Sequence, residues 1–251
     1  MNIDLNCDMG ESFGAYSMGA DETLMPLITS ANIACGFHAG DPRVMQRTIQ
    51  LAIQHGVAIG AHPGFRDLEG FGRRVIDATL DEIESDVLYQ IGALGAFARA
   101  GGKKLAHVKP HGALYNLAAV DPEIARAIAR AVARFDSLLV FVGLAGSSMI
   151  DVARELGLRV AREGFCDRAY TPNGKLMSRR DKGALIDDPQ QAAKQALQMI
   201  VEQSVNTSSG EKIPMRVDTL CIHGDSPNAP AIARAVREML GENGVNVCAL
   251  A

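Results

Sequence analysis

The chain has 251 residues, 47% hydrophobic and 22% charged, with a formal net charge of −4. That composition supplies a large core without disulfide or metal staples, and the charge balance excludes a strongly basic nucleic-acid or phospholipid binder. Five scattered cysteines form no Cys-x-x-Cys pair, so neither a disulfide framework nor a structural zinc knuckle is expected. There is no basic stretch followed by an apolar one at the start and no membrane-length apolar run, and a reducing cytoplasmic setting is the expectation.

In chain order, short apolar strands are expected at 3–7, 31–35, 57–61, 105–108, 138–142, 158–161 and 219–222, with a terminal one at 245–249. Helices separate them. Asp41-Pro42, Asp121-Pro122 and Asp188-Pro189 each set an acidic N-cap before a first-turn proline, and Ser226-Pro227 offers a hydroxyl cap in the same pattern. Thr79 and Glu82 read as a capping box opening a helix over 79–100, with Ile83, Val87, Ile91, Leu94 and Phe97 at helical spacing. Ile124, Ile128 and Val132 mark the next helix, and Gly56, Gly101, Gly157 and Gly241 are expected as left-handed C-caps. The segment 206–212 is polar and reads as an exposed loop; 18–25 reads as a helix face in the core. Strands that are brief, apolar on both faces and interleaved with helices describe a parallel sheet covered on both sides. Seven such units suit one closed α/β barrel of the TIM-like (β/α)7 kind spanning 1–251, with a doubly wound open sheet as the alternative.

The unusual polar residues fall at the carboxyl ends of these strands. They are Asn6, Asp8 and Glu11; His38; His62; His107, Lys109 and His111; Glu163, Asp167 and Arg168; and His223 and Asp225. A single histidine after a strand is more often a satisfied loop residue, and Asp41, Asp121, Asp188 and Ser226 are better read as caps. Five histidines at the same end of the sheet point to a shared ligand site, because that rim is where parallel α/β folds bind. Period-two alternation puts Asn6 and Asp8 on one face, and His107, Lys109 and His111 on another. Lys109 precedes Pro110, which favours an extended backbone and aims the amine inward. Close to other cations its pKa would fall, fitting it as a base or carbonyl polariser; binding a substrate carboxylate is the equal alternative. Gly36, Gly40, Gly64, Gly112 and Gly224 border these residues and are expected to permit positive φ or a close backbone approach. The stretch 143–148 could bind an anion through its amides, but neither a Walker A loop nor a Gly-x-Gly-x-x-Gly motif is present.

Seven segments then come together: LNCDMGESFG (5–14), ANIACGFHAGDP (31–42), IGAHPGF (59–65), GFGRR (70–74), VKPHGALYN (108–116), EGFCDRAY (163–170) and CIHGDSP (221–227). In this order they resemble the LamB/YcsF family over nearly the whole chain, with small departures at Cys7, Tyr16 and Arg66. The resemblance implies a seven-stranded barrel related to sugar hydrolases and deacetylases. It also implies the opening of 5-oxo-L-proline to L-glutamate coupled to ATP hydrolysis, in company with 5-oxoprolinase subunits B and C. On that footing Asp8 or Glu11 is the expected base, and Lys109 with His111 stabilises the oxygen that gains charge. Asn6, His38, His62, His223 and Asp225 are expected substrate contacts. Arg168 is the expected carboxylate clamp unless Asp167 pairs with it, and Tyr170 is a further contact. Two rivals remain. One is a stand-alone amide hydrolase with a divalent metal on Asp8, His38 and His62; the other is a binding component without chemistry.

Overall fold

The computed structural model describes residues 1–226 and 228–250. Seven parallel strands close into a barrel: β1 (Asn2–Met9), β2 (Ser30–Ala34), β3 (Ala58–His62), β4 (His107–Val108), β5 (Val140–Leu144), β6 (Arg159–Phe165) and β9 (Thr219–Ile222). They pair in that order, and β9 returns to β1 with Asp4 opposite Thr219 and Cys7 opposite Ile222. The two remaining strands before β9, β7 (Ser204–Asn206) and β8 (Lys212–Pro214), form an antiparallel hairpin outside the barrel. A short β10 (Asn246–Val247) adds to the start of β1. The closed barrel was expected; the hairpin was not, because its polar turn hides two strands of three residues each.

Among the described residues eight α-helices accompany the strands: α1 (Asp21–Leu24), α2 (Pro42–His55), α3 (Leu80–Ala100), α4 (Gly112–Ala118), α5 (Pro122–Phe135), α6 (Ser148–Glu155), α7 (Pro189–Val201) and α8 (Ala229–Glu242). The sequence caps largely hold. Asp41 accepts from the amides of Arg43 and Val44, Asp121 from Glu123 and Ile124, and Asp188 from Gln191, each bond set contributing about 1 kcal/mol. Thr79 and Glu82 form the reciprocal box. At α8 the expected cap fails: the helix opens at Ala229 with Asn228 at its N-cap, and Pro227 lies outside the described residues. Gly56 and Gly157 are left-handed as expected, whereas Gly101 and Gly241 are not, and Gly102 and Gly244 take that conformation. Only 21–24 of the 18–25 segment is α-helical, followed by a 3-10 turn over Met25–Leu27. Among the described residues no helix is long and apolar enough to cross a membrane.

The strands are not apolar on both faces. On β1 Ile3, Leu5, Cys7 and Met9 belong to the core under the helices, while the alternate residues Asp4, Asn6 and Asp8 are buried in a polar column inside the barrel. Ser30 and Thr219 donate to Asp4 at 2.7 and 2.5 Å, and Asn6 donates to Thr219 at 2.7 Å. Asn32 donates to both Asn6 and Asp8, at 2.7 and 2.8 Å, and His107 donates to the Asn32 amide oxygen at 2.8 Å. Such a column is tolerable because nearly every member has a partner. The column runs toward the carboxyl ends of the strands and so anchors whatever stands there. Beyond His107-Val108 the pairing with the β3 segment continues through Lys109 N to Ala61 O and His111 N to Pro63 O, while Pro110 between them has no N–H to donate.

Gly60 marks how tightly this interior is filled. A Cβ there would sit 2.0 Å from His107 Nε2. Gly60→Ala is therefore expected to displace His107 from Asn32 and destabilise the fold by about 3 kcal/mol. Urea unfolding of the variant checks this, and an unchanged midpoint would contradict the packing described.

Candidate active site

At the carboxyl ends of the strands the polar column opens into a cavity of about 50 Å³, lined among others by Asp8, Glu11, His62, Lys109, His111, Arg168, His223 and Asp225. All eight are singled out by the sequence pattern. At its centre is Lys109, 2% exposed. Its ammonium donates to Asp8 Oδ1 at 2.9 Å and lies 2.8 Å from Glu163 Oε1 in a close ion pair. Asn6 Oδ1 at 3.3 Å and Cys221 Sγ at 3.1 Å complete its surroundings. Burial opposes the charge, but the two carboxylates outweigh it and raise the Lys109 pKa well above the ordinary value. The expectation of a lowered lysine pKa is thus corrected. Anions clamp the ammonium, and their attraction dominates its surroundings.

The same contacts act on Asp8. Burial would raise it, yet His62 and Lys109 hold its pKa well below the usual carboxylate range. Oδ1 is taken by Asn32 and Lys109, and Oδ2 faces His62 Nε2 at 3.3 Å. Glu11 goes the other way, raised by burial and by Asp8. Glu163 stands at the rim in the sequence pattern, but the pattern gives it no role. It is fully buried and accepts the Tyr115 hydroxyl at 2.7 Å while facing Lys109. Only its place at the inward phase of β6 could have indicated that part.

The histidines divide into separate jobs. His62 Nδ1 donates to the Lys109 carbonyl at 2.7 Å, and His111 Nε2 to the Phe71 carbonyl at 2.8 Å. His38 lies flat on His111, with ring centroids 3.8 Å apart and planes 3° from parallel. Burial lowers the pKa of both His38 and His111 well below the ordinary value, and it takes His107 to about 3, with Lys109 adding to the effect. His223 donates through Nδ1 to Asp167 at 2.9 Å, and its own amide reaches the same carboxylate at 3.0 Å. Asp167 therefore serves His223, not Arg168. The loop of Gly70–Arg74 roofs the cluster. Gly72 has φ 61°, and a Cβ there would meet His38 and His111 at 2.7 and 2.8 Å.

Some expected contacts are elsewhere. Tyr170 is fully buried, and its hydroxyl accepts the Phe165 amide at 2.7 Å away from the cavity. Asn6 lies beneath the cavity in the polar column. Arg168 reaches the cavity wall, but its guanidinium donates to the Met177 and Ala184 carbonyls, and burial lowers its pKa to about 10. His38 sits behind His111 and outside the cavity lining. The metal set Asp8, His38 and His62 is not what the structure groups: His38 and His62 cluster with Glu11 and His111. The 143–148 loop does not line the cavity; there Ser147 bonds Leu144 O. Of the bordering glycines, Gly36, Gly40 and Gly112 have positive φ, whereas Gly64 and Gly224 instead allow close approach, to His38 and to the Asp8 carbonyl.

Two arginines missed from sequence guard the mouth. Arg73 and Arg179 both bind Asp225, at 2.6 and 3.3 Å. They also line an adjoining vestibule of about 560 Å³ with Arg168, Lys175 and Arg180, whose lining contains no Asp or Glu. Arg73 lies in the quoted GFGRR segment, but no strand alternation there told which way it points.

A parallel barrel with a carboxylate, an ammonium and imidazoles converging at its carboxyl end defines a β/α-barrel enzyme of the hydrolytic kind. The chain belongs to the LamB/YcsF family, whose model matches residues 3–251. It is 56% identical over 245 residues to the 5-oxoprolinase A subunit of Symbiobacterium thermophilum, covering 98% of this chain and 94% of the relative. It is also 56% identical over 248 residues to that of Methylococcus capsulatus, covering 99% and 95%. A crystal structure of a lactam utilization protein from Thermus thermophilus superposes with a TM-score of 0.95 at 52% identity, covering all of both chains.

Lys109→Met would leave Asp8 and Glu163 as buried carboxylates without their cation. It is expected to cost about 3–5 kcal/mol at neutral pH. With the cation gone the Asp8 pKa rises in the folded state. The deficit should therefore shrink as pH falls and Asp8 protonates. Chemical denaturation at several pH values reads this out; a loss independent of pH would point to packing alone.

Proposed function

We propose that this chain is the component of an ATP-dependent 5-oxoprolinase whose cavity carries the lactam while it is opened to L-glutamate. Activation by ATP falls to partner subunits B and C. The support is threefold: the full-length relatives named as 5-oxoprolinase A subunits, the lactam utilization structure, and a cavity chemistry suited to amide hydrolysis. The observation that carries the reading is the Asp8–Lys109–His62 cluster, an anion held ionised at the end of a rigid strand.

Hydrolysis adds a water oxygen to the lactam carbonyl carbon, breaks the carbon–nitrogen bond and delivers a proton to the nitrogen. Asp8 faces the cavity with one oxygen locked by Lys109, so it orients the attacking water. Its low pKa makes it an aligning anion more than a strong base. His223 is held through Nδ1 by Asp167, which leaves Nε2 as the atom that carries a proton to or from the cavity. Lys109 already donates to Asp8, Asn6 and Cys221 and is ion-paired with Glu163, so its part is to position Asp8. Glu11 and His111 complete the far wall. The cationic vestibule draws in an anionic substrate, and Arg73 and Arg179 are placed to exchange Asp225 for a substrate carboxylate. That exchange would join the narrow inner cavity to the vestibule, because Arg73 and Arg179 line both.

Glutamate release from 5-oxoproline by the reconstituted complex, with and without ATP and partners, tests this reading. Asp8→Asn should lower kcat by about 10³-fold while the fold, followed by circular dichroism, is kept. Turnover within tenfold of the parent would remove Asp8 from the chemistry. Arg179→Ala should raise KM about tenfold with little change in kcat; an unchanged KM would exclude it as the carboxylate contact. Lactam opening by this chain alone, without ATP, would favour the stand-alone hydrolase instead.

A further inference from the structure

The far wall of the cavity holds a contact that the chemistry above does not use. His62 Nδ1 and His111 Nε2 each face a backbone carbonyl, at 2.7 and 2.8 Å. A carbonyl only accepts, so those nitrogens carry the hydrogens. When both rings are neutral, the opposite nitrogens, His62 Nε2 and His111 Nδ1, both present lone pairs and face each other at 2.9 Å, with Asp8 Oδ2 3.3 Å from His62 Nε2. Two lone pairs at that distance repel unless a positive charge lies between them. Glu11 Oε1 stands 3.8 Å from His111 Nδ1, too far for a hydrogen bond, and it has no partner although Glu11 is only 6% exposed. A shared proton would reconcile the two rings and leave Glu11 Oε1 orphaned. A metal cation satisfies all three atoms.

We propose that Glu11, His62 and His111 bind a divalent transition metal of the zinc class, open toward the cavity. The donor set is two imidazoles and one carboxylate, which suits zinc, cobalt or manganese more than magnesium. Ligand atoms about 2.1 Å from a tetrahedral ion lie about 3.4 Å apart; the observed 2.9 and 3.8 Å bracket that spacing. The ring planes of His62 and His111 are 86° apart, so they cross along a line on which one ion can lie in both. Each imidazole donates its other N–H to a main-chain carbonyl, the supporting contact that metal-bound histidines usually have. His38 is close but parallel to His111, and no ion can lie in both of those planes, so it packs behind the site. The neighbouring group of Asp8, Cys221 and His223 does not compete, because Lys109 already supplies the cation to Asp8 and Cys221. A bound ion would polarise a lactam oxygen or a water beside Asp8.

The test needs no substrate, so it stands apart from the lactam reading. Full-length protein is stripped with chelator, dialysed against zinc or cobalt, and its metal content measured by mass spectrometry. The parent should retain about one equivalent per chain, give the visible spectrum of nitrogen- and oxygen-bound cobalt, and show no competition from excess magnesium. Glu11→Gln and His111→Asn should each retain below about a tenth of an equivalent, and Cys221→Ser should retain the full one. Circular dichroism confirms folding; should either replacement fail to fold, His62→Gln takes its place. Absence of uptake by the parent, or full uptake by a folded ligand variant, overturns the proposal.

Discussion

Lys109 between Asp8 and Glu163 is the contact on which the rest of this molecule turns. Three charges are buried at the mouth of a barrel, where an isolated ion would be costly. They are stable there because each has a partner and because the polar column below supplies further bonds. Asn32 reaches Asp8, Asn6 reaches Lys109, and Tyr115 reaches Glu163. The strands that carry these residues are themselves joined by the barrel ladder, so Asp8 is fixed from several directions. Rigidity of this kind supports chemistry, since an aligning group must keep its place during the reaction.

Electrostatics then divides the rim into two districts. On one side Asp8 is held ionised by Lys109 and His62. On the other, Glu11, His38 and His111 lie in a less polar patch where burial disfavours charge. Histidines that look alike in sequence therefore differ in character: His107 is a structural donor to Asn32, His223 is tied to Asp167, and His62 with His111 forms a facing pair. Main-chain carbonyls fix the tautomers of the last two, so the backbone decides what those rings can bind.

Much of this was legible beforehand, for identifiable reasons. Proline after aspartate announced three helices, and short apolar runs announced seven barrel strands with errors of a few residues. The clustering of His62, Lys109, His111 and His223 followed from a fold rule about strand ends. What escaped depended on facts that periodicity does not carry. Glu163 looked like part of a loop because β6 runs to Phe165, beyond the apolar stretch. Arg73 and Arg179 come from irregular segments, where direction is set by tertiary contacts. The raised pKa of Lys109 could not be foreseen while its partner Glu163 was unplaced. The polar interior of the barrel was misjudged because Asp4 and Asn6 appeared beside hydrophobic neighbours that face the helices.

The clasp of Asp225 by Arg73 and Arg179 has a thermodynamic consequence of its own. A site that is shut most of the time binds more weakly in proportion to the fraction of molecules that are open. Both arginines are partly exposed, so their hold is adjustable from outside the barrel. Any acidic group that drew one of them away would shift the population toward the receptive form, and affinity inside would rise although no atom of the inner wall had moved.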